Sequence, residues 1–223
     1  MSELHAARKN MVESQVMTSG VTDDRILATM NRVPREQFVP ETKRSIAYLG
    51  DDLCVKEPAD GSPARFLMDP RVLAKLMELA SLSPTDLVLD VGPATGYSTA
   101  LLADLTDTVV AIESDSELAE KASATLLELG VDNAAVIEGA LSEGNTKQGP
   151  FDVIFLNGSV PAVPSELLGQ LKEGGRLVGV VVEGNVGKAR VYLKSGAQST
   201  HRNGFEAGIH PLPGFEVAET FTF

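Results

Sequence analysis

The sequence predicts an α/β fold: a mostly parallel sheet with helices on both faces, a helical N-terminal extension and an antiparallel C-terminal edge. Three observations carry that expectation. From Leu87 onward, apolar runs of strand length alternate with amphipathic runs of helix length. Residues 87–103 pass from an apolar strand through a Gly turn directly into a helix. The first third shows near-helical spacing of its apolar residues instead.

In chain order, Leu4, Ala7, Met11 and Val12 predict a helix over residues 3–16, and Ile26, Leu27, Met30 and Val33 a second one starting near residues 22–24. Pro34 and Pro40 end that pattern, and residues 41–66 read as irregular, with a turn at Asp60, Gly61, Ser62 and Pro63. Asp69 as N-cap and Pro70 in the first turn open a helix that runs to about Ala80. Strands are expected at residues 87–91, 109–113, 134–138, 151–156 and 176–182. Helices are expected at residues 116–129, stopped by Gly130, and 164–171, stopped by Gly174 and Gly175. Asn157 and Gly158 read as the turn that ends the fourth of these strands. Residues 189–193 and 215–223 read as strands with no helix between them, hence the antiparallel edge.

A chain of 223 residues with 43% hydrophobic content can bury a substantial core. Its 19 basic and 31 acidic residues give a net charge of −12, which opposes attraction to a phosphate backbone, so nucleic acid is not an expected partner. Cys54 is the single cysteine, which excludes an intrachain disulfide and a Cys-rich metal site and suits a reducing compartment. His5, His201 and His210 share no metal-ligand spacing, so no metal is expected. With no apolar core of signal-peptide length at the N-terminus and no run approaching a membrane span, the expectation is a cytoplasmic protein without membrane contact.

The Gly turn is the informative motif. A pyrophosphate-binding G-x-G-x-x-G pattern needs Gly at 92, 94 and 97, where the chain has Gly92, Ala94 and Tyr97. A G-x-G-x-G template of the kind found in S-adenosylmethionine (SAM) methyltransferases fits better, with Gly92 and Gly96 in place and Ala94 between them. Glu113 then ends the next strand about 20 residues past the first Gly, where such folds place a carboxylate for the ribose hydroxyls. Gly139 follows the third strand and Asn157 the fourth. At Gly139 a contact to the adenine of SAM and a plain loop start are equally good readings, and at Asn157 an amide that holds a polar group of the substrate is at best as good a reading as a turn.

These residues, with the blocks around them, resemble the protein-L-isoaspartate O-methyltransferase family over nearly the whole chain. Val33-Pro-Arg-Glu-Gln-Phe-Val-Pro40 followed by Ala47 and Tyr48 is similar to the N-terminal signature of that family, and Phe151-Asp-Val-Ile-Phe155 with Gly174-Gly-Arg-Leu-Val178 to its later strand blocks. The resemblance implies a Rossmann-like SAM methyltransferase fold. It also implies methyl transfer to the carboxylate of isoaspartyl residues in damaged proteins, with residues 1–80 as helical extension and acceptor-side cover and residues 81–223 as the SAM-binding part of one compact unit. Cofactor contacts are expected from Asp90, Gly92, Ala94, Gly96, Glu113, Ser114, Gly139, Ala140 and Asn157. No catalytic residue is assigned. The departures from the family pattern are Ala94 in the Gly motif, Gly139-Ala-Leu141 where the family has Gly-Asp-Gly, and Met68, in Phe66-Leu-Met-Asp-Pro70, where the family has a Ser. Because a thioether donates no hydrogen bond, two alternatives stand beside isoaspartyl repair. One is the same fold acting on another acceptor, such as a small carboxylate. The other is a SAM-binding or regulatory module that has lost transfer activity. Dinucleotide-dependent oxidoreduction is a more distant third, because of the glycine spacing.

Overall fold

Alternate residues of the central strands point to opposite sides of one sheet and build two separate cores, which is what near-continuous apolar strands achieve when both faces are covered. Val88, Val109, Val153, Phe155 and Val178 join one core with the N-terminal helices. Leu89, Val110, Ile154, Leu156 and Leu177 join the other. The computed structural model describes residues 3–59, 61–196 and 198–215. Its seven-stranded sheet has the order β5-β4-β3-β6-β7-β8-β9. β3 (Leu87–Val91), β4 (Thr108–Glu113), β5 (Ala134–Glu138), β6 (Phe151–Val160) and β7 (Leu171–Glu183) run parallel. β8 (Val186–Ser195) and β9 (Gln198–Glu206) are antiparallel.

The helices follow the sequence signals closely. α1 (Glu3–Met11) continues into a π-helical turn (Val12–Val16), and α2 (Asp24–Arg32) is capped by Asp23, which accepts from Arg25 N at 2.9 Å. α3 (Pro70–Ala80) is capped by Asp69 through Arg71 N at 2.7 Å. α4 (Tyr97–Leu105) and α5 (Ser116–Glu128) cross between the strands, with Asp115 capping α5, and α6 (Ser165–Gly169) is shorter than its pattern predicts.

Four expectations need correction. Residues 41–66 are not irregular throughout: β1 (Leu53–Lys56) and β2 (Arg65–Leu67) form a small antiparallel sheet. Such short, half-buried strands carry no readable alternation. The Asn157-Gly158 pair is not a turn. β6 runs through it to Val160, and between Phe155 and Ser159 four residue steps on β6 face two on β7, a bulge that turns Asn157 out of the ladder. β7 begins at Leu171, five residues before the apolar run, because Leu171 already pairs with Phe151. The antiparallel edge is built by β8 and β9. Phe215 lies outside any strand, and the remainder of the expected strand at 215–223 lies outside the described residues.

Candidate functional site

β3 is bonded to β4 on one side and to β6 on the other, so the chain order reverses between β3 and β6. Open α/β sheets present their ligand crevice at this point, outside the carboxyl ends of the strands. Asp90, the Gly turn, Glu113 and Asn157 all come to it.

The turn makes the approach to α4 by three residues in the left-handed region: Gly92 at φ 72°, Ala94 at φ 53° and Gly96 at φ 93°. Ala94 therefore keeps the backbone course a glycine would take, at the steric cost of a Cβ there, about 1–2 kcal/mol. Gly96 serves packing, since a methyl there would lie 3.1 Å from Ala122 Cβ on α5.

Glu113 is fully buried, and its carboxylate is consumed by the chain itself. Arg65 of β2 grips it with two nitrogens, Nη1 to Oε1 at 2.5 Å and Nη2 to Oε2 at 2.8 Å. Ala94 N donates to Oε2 at 2.9 Å, and Ser114 N and Asp115 N donate to Oε1 at 2.8 and 3.2 Å. Arg65 Nη2 also reaches Gly92 O at 3.3 Å. Beside this pair, Lys56, the cross-strand partner of Arg65, bonds both oxygens of Asp115 at 2.8 and 2.7 Å. The β1–β2 hairpin thus clasps the β4–α5 connection with two cations.

Asp90, also fully buried, meets only neutral donors among the described residues. Ser98 Oγ and Thr99 Oγ1 donate to Oδ2 at 2.9 and 2.8 Å, and Asn157 Nδ2 donates to Oδ1. Burial pushes its carboxyl up to about 6, against the opposing pull of these three hydrogen bonds.

The other side of the crevice is closed by residues 209–212. Ser159 N donates to His210 O and Leu212 N to Ser159 O, both at 2.9 Å, and Ser159 Oγ donates to Ile209 O at 3.1 Å. The His210 ring stacks on Phe66 at 3.5 Å, nearly parallel. Leu212 points inward. A methyl at Gly92 would come within 2.5 Å of its Cδ2, and one at Gly158 within 2.8 Å of its Cγ.

The signature block near residue 35 supports this wall from behind. Arg35, buried, donates to Ala47 O at 2.9 Å and to Met68 O at 3.0 Å, and its guanidinium lies 4.9 Å from the Tyr97 ring centre. Glu36 accepts from Arg8 at 3.1 Å and from the Tyr48 hydroxyl. Met68 is itself buried, and Ser62 is exposed in a tight turn.

Of the nine residues expected at a cofactor, the structure joins Asp90 to Asn157, and Glu113 to Ala94, Ser114 and, through its backbone, Gly139. Gly92 lies against Arg65, whereas Ser114 and Ala140 are exposed and Gly96 faces α5. Sequence reasoning missed Arg65, Leu212, Ser98 and Thr99. The two hydroxyl residues sit in the first turn of α4, one helical step beyond the Gly motif, a position from which they reach the preceding strand end.

In this arrangement the residues do not accommodate SAM. The cavity lined by Asp52, Arg65, Phe66, Met68, Asn157 and Leu212 measures about 20 Å³, and its neighbour beside Tyr97 and Ser98 about 10 Å³. Such volumes suit a single water, whereas small-molecule sites hold about 300–1,000 Å³. A larger groove, about 480 Å³, lies away from the switch point between Arg32, Asp104 and Gly130.

The chain as a whole matches the family model described as protein-L-isoaspartate(D-aspartate) O-methyltransferase over residues 6–209. It is 39% identical over 171 residues to a protein-L-isoaspartate O-methyltransferase of Koribacter versatilis, covering 77% of this chain and 74% of the relative. To protein-L-isoaspartate O-methyltransferase 2 of Pelobacter propionicus it is 35% identical over 211 residues, covering 94% and 91%. Among solved structures it resembles a protein-L-isoaspartate O-methyltransferase with a TM-score of 0.80 at 25% identity, covering 93% of this chain and 67% of the other. A Plasmodium falciparum structure described as a putative protein of that kind, in complex with S-adenosyl-L-homocysteine, superposes with a TM-score of 0.77 at 22% identity, covering 93% and 98%.

Proposed function

Because the chain belongs to the protein-L-isoaspartate(D-aspartate) O-methyltransferase family, we propose that it is a SAM-dependent O-methyltransferase that esterifies the carboxylate of isoaspartyl residues in damaged proteins of the cytoplasm. The observation that carries this reading is the family match over residues 6–209, which spans the N-terminal signature as well as the Gly turn. In this reading residues 1–80 cover the acceptor side, and residues 81–223 carry the cofactor crevice at the β3–β6 switch point. Asp90, Gly92, Ala94, Gly96, Glu113, Ser114, Gly139, Ala140 and Asn157 are the proposed contacts.

A carboxylate is a nucleophile at neutral pH without help from a base, so the chain has to supply alignment and exclusion of water rather than proton transfer. Buried Met68, with the half-buried Phe66 ring stacked under the exposed His210, supplies a boundary of that kind. Met68 also favours a second reading, in which the same fold esterifies a different carboxylate, because it offers no donor where the family has a hydroxyl.

Methyl transfer from labelled SAM to an isoaspartyl peptide, compared with its normal aspartyl twin, tests the proposal. Transfer to the isoaspartyl peptide alone is expected. Transfer to neither, by a protein that binds S-adenosyl-L-homocysteine, would remove isoaspartyl repair and leave either another acceptor or a module without transfer activity.

A further inference from the structure

We propose that the β1–β2 hairpin and residues 209–212 form a built-in competitor for the cofactor, with Arg65 standing where the ribose would meet Glu113 and Leu212 filling the space over Gly92. The inference rests on the SAM-dependent reading above. Nucleoside binding is then coupled to release of the Arg65 latch.

Four observations support it independently of any ligand. Arg65 satisfies Glu113 in a two-nitrogen grip on a carboxylate that also takes three backbone N–H groups, so no acceptor capacity is left for ribose hydroxyls. Two glycines, Gly92 in the turn that follows β3 and Gly158 on the neighbouring β6, leave room for one inward side chain, Leu212, which is 4% exposed. The remaining cavity holds about 20 Å³. Finally, both occluding pieces lie outside the seven strands of the main sheet. β1 and β2 form their own two-stranded sheet, and residues 209–212 hold to β6 by an isolated bridge between Ser159 and Pro211.

The latch is anchored unequally. Arg65 and Glu113 have side chains 6% and 0% exposed, whereas Lys56 on the same hairpin is 24% exposed and reaches Asp115 from the rim. Opening therefore separates a desolvated pair, and the population of the open form sets the apparent affinity for a nucleoside.

Calorimetric titration with S-adenosyl-L-homocysteine of the wild type, Arg65→Ser and Leu212→Ala, each checked for folding by circular dichroism, decides the matter. Removal of the competitor should tighten binding by at least about tenfold in Arg65→Ser and by about threefold in Leu212→Ala. If Arg65→Ser does not fold, Leu212→Ala decides by the same criterion, since it leaves no buried charge unpaired. Binding by the wild type that the folded variants do not improve would overturn the latch and leave the SAM-dependent reading standing. No binding by wild type or variants would remove both.

Discussion

The ends of β3 and β4 each carry a carboxylate withdrawn from water, and the chain treats the two in opposite ways. Glu113 is given a guanidinium, which arrives from 48 residues away, and three backbone donors. Asp90 is given two hydroxyls and an amide, all neutral, two of them from the adjoining first turn of α4, and its carboxyl rises to about 6. The difference teaches that burial alone does not define a site group. What matters is whether the compensating partner is a charge, which binds the group to another segment, or a set of dipoles, which leaves it free to take up a proton.

The comparison is broken most directly at Glu113. Glu113→Gln leaves Arg65 buried opposite a neutral amide, and breaking a buried pair in this way costs about 3–5 kcal/mol, to be read as a lower urea midpoint at pH 7. A loss below about 1 kcal/mol would class the pair with exposed ion pairs.

Asp90 should respond to pH and not simply to removal. Its folded carboxyl lies above the ordinary value of 3.8, so the fold favours the protonated form. That stabilisation is present below about pH 4 and is lost as pH rises through about 6. Asp90→Asn removes the titration. Relative to wild type it should gain stability between pH 4 and pH 7, by on the order of 3 kcal/mol for a shift of this size. A difference between the two proteins that stays constant across that range would show that the neutral donors hold Asp90 charged after all.

The smallest effect tests the backbone that serves Glu113. Ala94 donates its N–H to that carboxylate from φ 53°. Ala94→Gly relieves the crowding of a left-handed Cβ but adds freedom to the unfolded chain. The net change should be a stabilisation of no more than about 1 kcal/mol, seen as a small rise in Tm.

Much of the scaffold is legible in the sequence. Asp69 with Pro70 marked the start of α3, Gly130 the end of α5, and the apolar runs at 87–91, 109–113 and 134–138 the parallel strands, because each of these signals is local. β9 was not legible. Its residues, Gln198-Ser-Thr-His-Arg-Asn-Gly-Phe-Glu206, are mostly polar and exposed, and only the hydrogen-bonding edge of β8 makes a strand of them. Asn157-Gly158 misled for the converse reason: a local turn signal was overridden by the ladder on either side of it. At the crevice, Gly92 and Glu113 were legible as a place where something approaches closely. The occupants, Arg65 and Leu212, arrive from distant segments, which spacing along the chain does not reveal.

The bond from Ser159 to Ile209 spans 50 residues, and that separation has a consequence for the order in which the molecule is finished. β7, β8 and β9 all lie between its two ends in sequence, so the strands that form between those ends shorten the loop this contact has to close. On a chain still being synthesised, β3, β4 and β6 leave the ribosome well before Leu212 does. The crevice of the nascent protein is accordingly uncovered on that side until residues 209–212 have been made.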